Sequence, residues 1–198
     1  SDEPGRDAQE SSYLAFNASR SLNTAVIAEV AVGWVDSDIA YGYDEDWTFS
    51  GFHPFGYSST DLYLRDVETR TADVRLLSAP GQGLAAGAVD WVVGVYALDK
   101  EVDFSRDYTF AGGLFTSDYA IDRLALYGEL ATKLSDSWRI SLGLRAEQHE
   151  SSYSDSEAVR FAPYDNLIGG RLLLERSLAS GNMLYISLTR GYKAGGFN

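Results

Sequence analysis

Apolar and polar residues alternate along most of this chain. In Trp138–Glu150, Trp138, Ile140, Leu142, Leu144 and Ala146 share one parity, and Arg139, Ser141, Gly143, Arg145 and Glu147 the other. A period of two places successive side chains on opposite faces of a β-strand. In Tyr119–Lys133, Leu124, Leu126, Gly128 and Leu130 oppose Arg123, Tyr127, Glu129 and Lys133. In Tyr164–Ser177, Ile168, Leu172 and Leu174 oppose Arg171 and Glu175, and in Thr24–Asp36 a Val26-to-Trp34 face opposes Glu29, Ala31 and Gly33. The pattern predicts strands near 12–20, 24–36, 64–78, 88–101, 119–133, 138–150, 164–177 and 183–193, and no helix. The links alternate in length: short at 21–23, 134–137 and 178–182, somewhat longer at 79–87, and long at 37–63, 102–118 and 151–163.

Alternation alone fits either a soluble sheet or a membrane barrel. Strand length favours the membrane: the segments run to about a dozen residues, against roughly 5–6 in soluble sheets and ~9–11 in a tilted membrane-spanning strand. Aromatic placement points the same way. With the short turns below, Trp91 and Trp138 begin rising strands, Trp34 and Tyr192 end them, and Tyr164 begins a falling one. All five share the parity of the aliphatic face, as interfacial rings do. The expected fold is all-β, an antiparallel up-and-down transmembrane β-barrel segment of about eight strands. Its short turns are periplasmic and its long loops extracellular. The alternative is a soluble all-β sandwich with those aromatics in its core, so the direction of the aliphatic faces separates the two. A small standalone eight-stranded barrel, with 12–20 paired to 183–193, is a third arrangement.

The formal charge of −13 removes nucleic acid as a partner, because phosphates need a basic face. No cysteine is present to build a disulfide scaffold or a thiolate zinc site. No run approaches the ~18 apolar residues of a membrane helix, and the polar start Ser1–Glu10 carries no signal-peptide pattern. No catalytic constellation stands out, and no cofactor is implied. His53 and His149 lie in or beside predicted loops without ligand spacing. The acidic run from Asp36–Ser37–Asp38 to Asp44–Glu45–Asp46 reads as a solvated loop. It also has the oxygens to gather a hard cation, or to meet outer-leaflet lipid phosphates through divalent ions. Gly191–Asn198 contains a lysine and glycines but lacks the spacing of a phosphate loop. Aromatics are dense in the loop expected over 37–63, where Tyr41, Tyr43 and Trp47 are the first candidates for ligand contact.

The most specific stretch is Met183–Asn198, whose strand runs into Arg190, Gly191, Tyr192, Lys193, Ala194, Gly195, Gly196, Phe197 and Asn198. This ending resembles a late strand in the barrel of TonB-dependent outer-membrane receptors. Asp73-Val74-Arg75-Leu76 followed by Trp91-Val92-Val93-Gly94-Val95-Tyr96, and Leu124–Leu130 followed by Ile140–Arg145, are similar to the paired strands of that family. The resemblance extends from about Leu14 to the end. It implies that 1–198 is a partial receptor barrel domain without a plug, drawn from a barrel of roughly 22 strands that is plugged. The implied function is active outer-membrane transport of a scarce nutrient such as a ferric siderophore, and not catalysis. The implied partners are the TonB–ExbB–ExbD complex, reached through an N-terminal part absent here, outer-membrane lipid, and the nutrient. The implied location is the outer membrane of a Gram-negative bacterium. The polar residues Arg123, Glu129, Arg139, Arg145, Glu147, Arg171 and Glu175, with Glu29, Asp73 and Arg75, would then line the lumen, pairing with one another and holding the plug. A soluble carbohydrate-binding module using the aromatics of Tyr41–Tyr57 is the competing function.

Overall fold

The computed structural model describes residues 4–49 and 51–195. The strands are β1 (Arg6–Ser21), β2 (Val26–Asp44), β3 (Thr60–Ser78), β4 (Val89–Tyr108), β5 (Phe115–Lys133), β6 (Trp138–Asp155), β7 (Arg160–Phe161), β8 (Tyr164–Ser177) and β9 (Met183–Arg190). They form one antiparallel meander in chain order, in which β7 is a two-residue appendage of β6 and the path continues from β6 to β8. Between β3 and β4 a single turn, Leu84–Gly87, is left-handed at Ala85 and Ala86.

The register carries the sequence alternation intact across every strand. Val30, Val74, Val95, Leu126, Ala146 and Ile168 are successive cross-strand partners on one face. Ala31, Asp73, Tyr96, Ala125, Glu147 and Leu167 are successive partners on the other. The aliphatic face is the open one: Leu126 is 58% exposed and Ile168 64%, while Ala125 is 1% exposed and Glu147 6%. The sheet therefore curls around its polar face and presents its aliphatic side chains outward. A soluble sandwich buries the aliphatic face between two sheets, and this arrangement is its reverse. It matches a barrel wall facing hydrocarbon.

The outer border of the aliphatic band crosses the register at a slant. On β2 it ends at Trp34, whose cross-strand line continues through Arg70, Asp99, Asp122 and Glu150. On β5 it ends one line further in, at Leu124, and on β6 another line in, at Ala146. Tilted strands require this, because lines perpendicular to the strands are not level with the barrel rim. Trp34, Trp91, Trp138 and Tyr164 keep the aliphatic parity, as expected.

The strands overrun the expected ones at the outer end. β2 and β3 have 19 residues each and β4 has 20. The stretches 37–44, 60–63, 102–108, 115–118 and 151–155, expected in loops, are therefore strand, and the loop after β2 shrinks to 45–59. The physical reason is that these extensions lie beyond the aliphatic band. Most of their outward positions are acidic, hydroxyl or small, as at Asp38, Ala40, Gly42, Asp103 and Ser152, so hydropathy stops while backbone pairing continues. At the chain's other end β9 stops at Arg190, before Lys193. Among the described residues β1 pairs only with β2, and β9 only with β8, without the pairing that a standalone eight-stranded closure needs.

The face assignment predicts opposite outcomes for one charge. Leu126→Arg should lose about 2–4 kcal/mol in a bilayer, whereas Asn17→Arg on the polar face should change stability by less than about 1 kcal/mol. Denaturant titration of the complete reading frame's product in phospholipid vesicles measures both, and equal losses would refute the assignment.

Candidate functional site

The outer end of the polar face gathers aromatic and cationic side chains on the strand extensions. Tyr41 and Tyr43 alternate with Ala40 and Gly42 on β2 and so point to the polar side, as do Asp61, Tyr63 and Arg65 on β3 and Phe104 and Arg106 on β4. The Tyr41 ring lies 5.8 Å from Tyr43 and 6.1 Å from Tyr63, and Tyr63 lies 6.1 Å from Phe104. Arg65 sits over Phe104 at 5.4 Å, within cation–π range. Ile39, Tyr41, Tyr43, Trp47, Tyr63 and Arg65 enclose an open hollow of about 570 Å³, large enough for a small molecule.

Asp61 anchors this platform. It is 1% exposed and accepts two hydrogen bonds from one guanidinium, Arg106 Nε to Oδ1 at 2.8 Å and Nη2 to Oδ2 at 2.6 Å. The Tyr63 hydroxyl donates to Oδ2 at 2.8 Å, and that of Tyr43 at 3.4 Å. The bidentate fork is the strong, geometrically specific form of this pairing. It fixes two rings of the platform, and Arg106 also lies 5.1 Å from the Tyr63 ring.

Trp47 is positioned by the adjoining loop. Its amide donates to Asp44 Oδ1 at 3.1 Å, and its backbone is left-handed, φ 56. That conformation is costly for a bulky residue and persists only where neighbours impose it. Asp46 imposes the next turn by accepting from the Thr48 hydroxyl and amide, both at 2.8 Å, and from the Ser59 amide at 2.7 Å. The Thr48 hydroxyl, then its amide, hold the Asp46 carboxyl below its ordinary range.

Further along the polar face the charges pair. Arg75 meets Glu29 at 2.7 Å, and Arg139 meets Asp90 at 3.2 Å and Glu175 at 4.0 Å. Arg145 meets Glu147 at 2.6 Å. The Tyr127 hydroxyl donates to Asp73 and reaches it by lying across Gly94, where a Cβ would stand 2.5 Å from the ring. Arg123 Nε and His149 Nδ1 are buried without a hydrogen-bond partner, on directly opposed positions of β5 and β6.

All seven residues expected to line the lumen stand on this one face, since Arg123, Glu129, Arg139, Arg145, Glu147, Arg171 and Glu175 share its parity. Arg171 and Glu129 are separated by Gly143 on the strand between them. Tyr41, Tyr43 and Trp47 are brought together, but Tyr41 and Tyr43 are on a strand, not in the expected loop. The acidic run divides likewise, with Asp36, Asp38 and Asp44 on β2 and Glu45 and Asp46 in the loop. His149 lies in the expected strand 138–150, but that strand runs on to Asp155 and leaves the residue only 3% exposed, away from the loop.

Tyr192 departs from its expected outer-interface position. Its hydroxyl donates to Glu147 Oε2 at 3.0 Å and accepts from Arg145 Nε at 2.9 Å, so it belongs to the polar face. β9 has already ended at Arg190, so parity no longer governs residue 192. Gly169 admits the ring, since a Cβ there would lie 2.8 Å from it. Arg190 closes β9, and Gly191, Lys193 and Gly195 follow it as irregular backbone. The Gly195 amide donates to Asp165 at 2.9 Å. Gly196, Phe197 and Asn198 lie outside the described residues. Asp61, Tyr63, Arg65, Phe104 and Arg106 were missed because they fell in predicted loops or at their edges. On β3, the alternation of Asp61, Tyr63 and Arg65 with Leu62 and Leu64 was the available signal.

The sheet resembles a contiguous arc of several solved barrels. It superposes on the ferric yersiniabactin uptake receptor FyuA from Yersinia pestis with TM-score 0.71 at 14% identity, covering 90% of this chain and 27% of that one. For the ferric citrate transporter FecA the values are 0.73, 15%, 92% and 27%, and for the copper transporter OprC 0.66, 17%, 92% and 30%. The chain thus spans about a quarter to a third of these proteins. No curated protein sequence matches it. The family model for the TonB dependent receptor-like β-barrel matches residues 2–198. With aliphatic wall outward, charges inward and the register of a barrel arc, the chain belongs to the TonB-dependent receptor β-barrel family.

Proposed function

We propose that this chain forms part of an outer-membrane active transporter that takes up a scarce nutrient, such as a ferric siderophore, with energy from the TonB–ExbB–ExbD complex. The observation that carries the reading is the platform of Tyr41, Tyr43, Trp47 and Tyr63 with Arg65, held on the polar face beyond the aliphatic band. Flat rings stack on planar or conjugated ligands. Arg65 has no ion pair among the described residues and supplies a cation to an anionic chelate. The similar proteins carry ferric yersiniabactin, ferric citrate and copper in their names, which supports a metal-bearing nutrient here. A soluble carbohydrate-binding module would need the aliphatic faces buried, and they are exposed.

Within the same reading, the polar face holds a plug. Arg123 Nε and His149 Nδ1 support this, being buried polar atoms that lack partners in the wall itself. The paired groups Arg139, Arg145, Glu147 and Glu175 offer exchangeable contacts beside them, and Glu129 and Arg171 further ones. Polar contacts suit a segment that must be released, because each contributes only ~0.5–1.5 kcal/mol net.

The test is outer-membrane fractionation of the complete reading frame's product with a heat-modifiability gel, followed by uptake of iron-55 from a panel of ferric siderophores. Uptake should fall to background when TonB is deleted, and a soluble product would end the proposal. Tyr41→Ala with Trp47→Ala should raise the Kd of the transported chelate roughly 5- to 140-fold, the loss of two stacking contacts of about 0.5–1.5 kcal/mol each. Arg123→Leu with His149→Leu should loosen the plug, seen as more frequent channel openings in planar bilayers. Unchanged conductance would remove these two residues from the plug contact.

A further inference from the structure

The turn that carries Trp47 holds a buried acid with no counter-charge. Asp44 is the last residue of β2 and is 5% exposed. Its Oδ1 accepts from the Trp47 amide at 3.1 Å, but its Oδ2 is buried without a hydrogen-bond partner. Buried carboxylate oxygens are ordinarily paired, because an unpaired one gives up its hydration and gains nothing in exchange. The Asp46 carboxyl lies within hydrogen-bonding reach of the Asp44 carboxyl. Its far side is closed by the Thr48 hydroxyl and amide and by the amide of Ser59, a residue 1% exposed.

Two neighbouring carboxyls, one of them buried, need either a shared proton or a cation between them. The donors from Thr48 and Ser59 favour the ionised form of Asp46, which works against the shared proton. The chain offers no cation of its own nearby. No lysine or arginine occurs from Ser21 to Leu64. On the adjoining strands Arg106 is engaged by Asp61 at 2.6 Å, and Arg65 lies over the Phe104 ring. Among the described residues Asp44, Glu45 and Asp46 make no ion pair. Glu45 is turned aside to the Ser59 hydroxyl at 2.6 Å.

We propose that the loop between β2 and β3 binds one Ca²⁺ between Asp44 Oδ2 and the Asp46 carboxylate. Ca²⁺ accepts an irregular set of oxygens, whereas Mg²⁺ demands a near-ideal octahedron. Among the described residues no three His, Cys, Asp or Glu side chains gather around one point, so water completes the shell. The affinity is then that of weak extracellular sites, a Kd of about 10⁻⁴–10⁻³ M. The ion ties Asp44 to Asp46 across the turn, and Asp44 in turn holds the Trp47 amide. It thereby fixes one ring of the aromatic platform. The site itself does not depend on the transporter reading.

Calorimetric titration of the complete reading frame's product, folded in detergent micelles and stripped with EDTA, tests this with Ca²⁺ and Mg²⁺. Wild type should bind one more Ca²⁺ than Asp44→Asn with Asp46→Asn, with at least tenfold preference over Mg²⁺ at that site. Asp44→Asn alone should weaken it at least tenfold. Tb³⁺, which takes Ca²⁺ sites and luminesces when a nearby indole is excited, reports the position. Trp47→Phe should remove at least half of the luminescence that Ca²⁺ displaces. Equal Ca²⁺ stoichiometry and affinity in wild type and Asp44→Asn would overturn the proposal and mark a shared proton between the carboxyls. Displaceable luminescence indifferent to Trp47→Phe would overturn it as well. A heat-modifiability gel shows which variants are folded, and if Asp44→Asn is not, the Tb³⁺ measurement decides. Ca²⁺ binding at Asp44 without TonB-dependent uptake would defeat the transporter reading alone, and uptake without Ca²⁺ binding would defeat this site alone.

Discussion

Backbone pairing in one fixed register is the constraint on which everything else depends. Hydrocarbon offers no hydrogen-bond partner, so each strand's amides and carbonyls must be satisfied by neighbouring strands. Once the register is set, parity decides every side chain's environment. A slip of one residue between β5 and β6 would turn Leu142 and Leu144 to the polar side and Arg145 and Glu147 to the aliphatic side. The alternation in sequence and the pairing in space therefore enforce each other, and no buried aliphatic core is needed. Among the described residues the buried hydrophobic ones are Ala40, Ala125 and Ala131, all too small to form one.

The same register explains why the aromatic platform and the acidic residues of β2 occupy opposite faces of one strand. On β2, Tyr41 and Tyr43 share the polar parity, and Asp36 and Asp38 the outward parity. Beyond the band, the outward positions carry charge, while the inward positions stay on the polar face and hold rings. Strain enters only where pairing ends. Trp47, held left-handed by Asp44, lies in the loop just past β2 and lines the same hollow as Tyr41 and Tyr43.

Period-two reading located the eight long strands and put Arg123, Glu129, Arg139, Arg145, Glu147, Arg171 and Glu175 on one face, which the register shares, because parity within a strand survives an error in where it ends. It failed at the ends themselves. Asp36-Ser37-Asp38 and Tyr41-Gly42-Tyr43 have no aliphatic face to signal a strand, so hydropathy predicts a loop at Tyr41 and Tyr43 although β2 runs to Asp44. Asp61 and Arg106 were hidden for the same reason. Their partnership joins residues 45 apart in sequence, and only the β3–β4 register brings them together. Tyr192 shows the converse failure, since parity was extended past the last paired residue.

Tyr192 and Tyr127 solve a common problem of the polar face. A wall of charged side chains needs rigid elements to hold carboxylates in place, and a phenol does this without adding charge. Each ring crosses a glycine, Gly169 or Gly94, where a side chain would block it. Each hydroxyl ends on a buried or half-buried acid, Glu147 or Asp73. The first of these ties the segment after β9 to β6, with Arg145 also set over the Tyr96 ring at 5.1 Å. The glycine-rich exit of β9 is thus fastened to the charged lining and not to the lipid-facing wall. A movement of that exit would disturb the Arg145–Glu147 pair before it disturbed the aliphatic band.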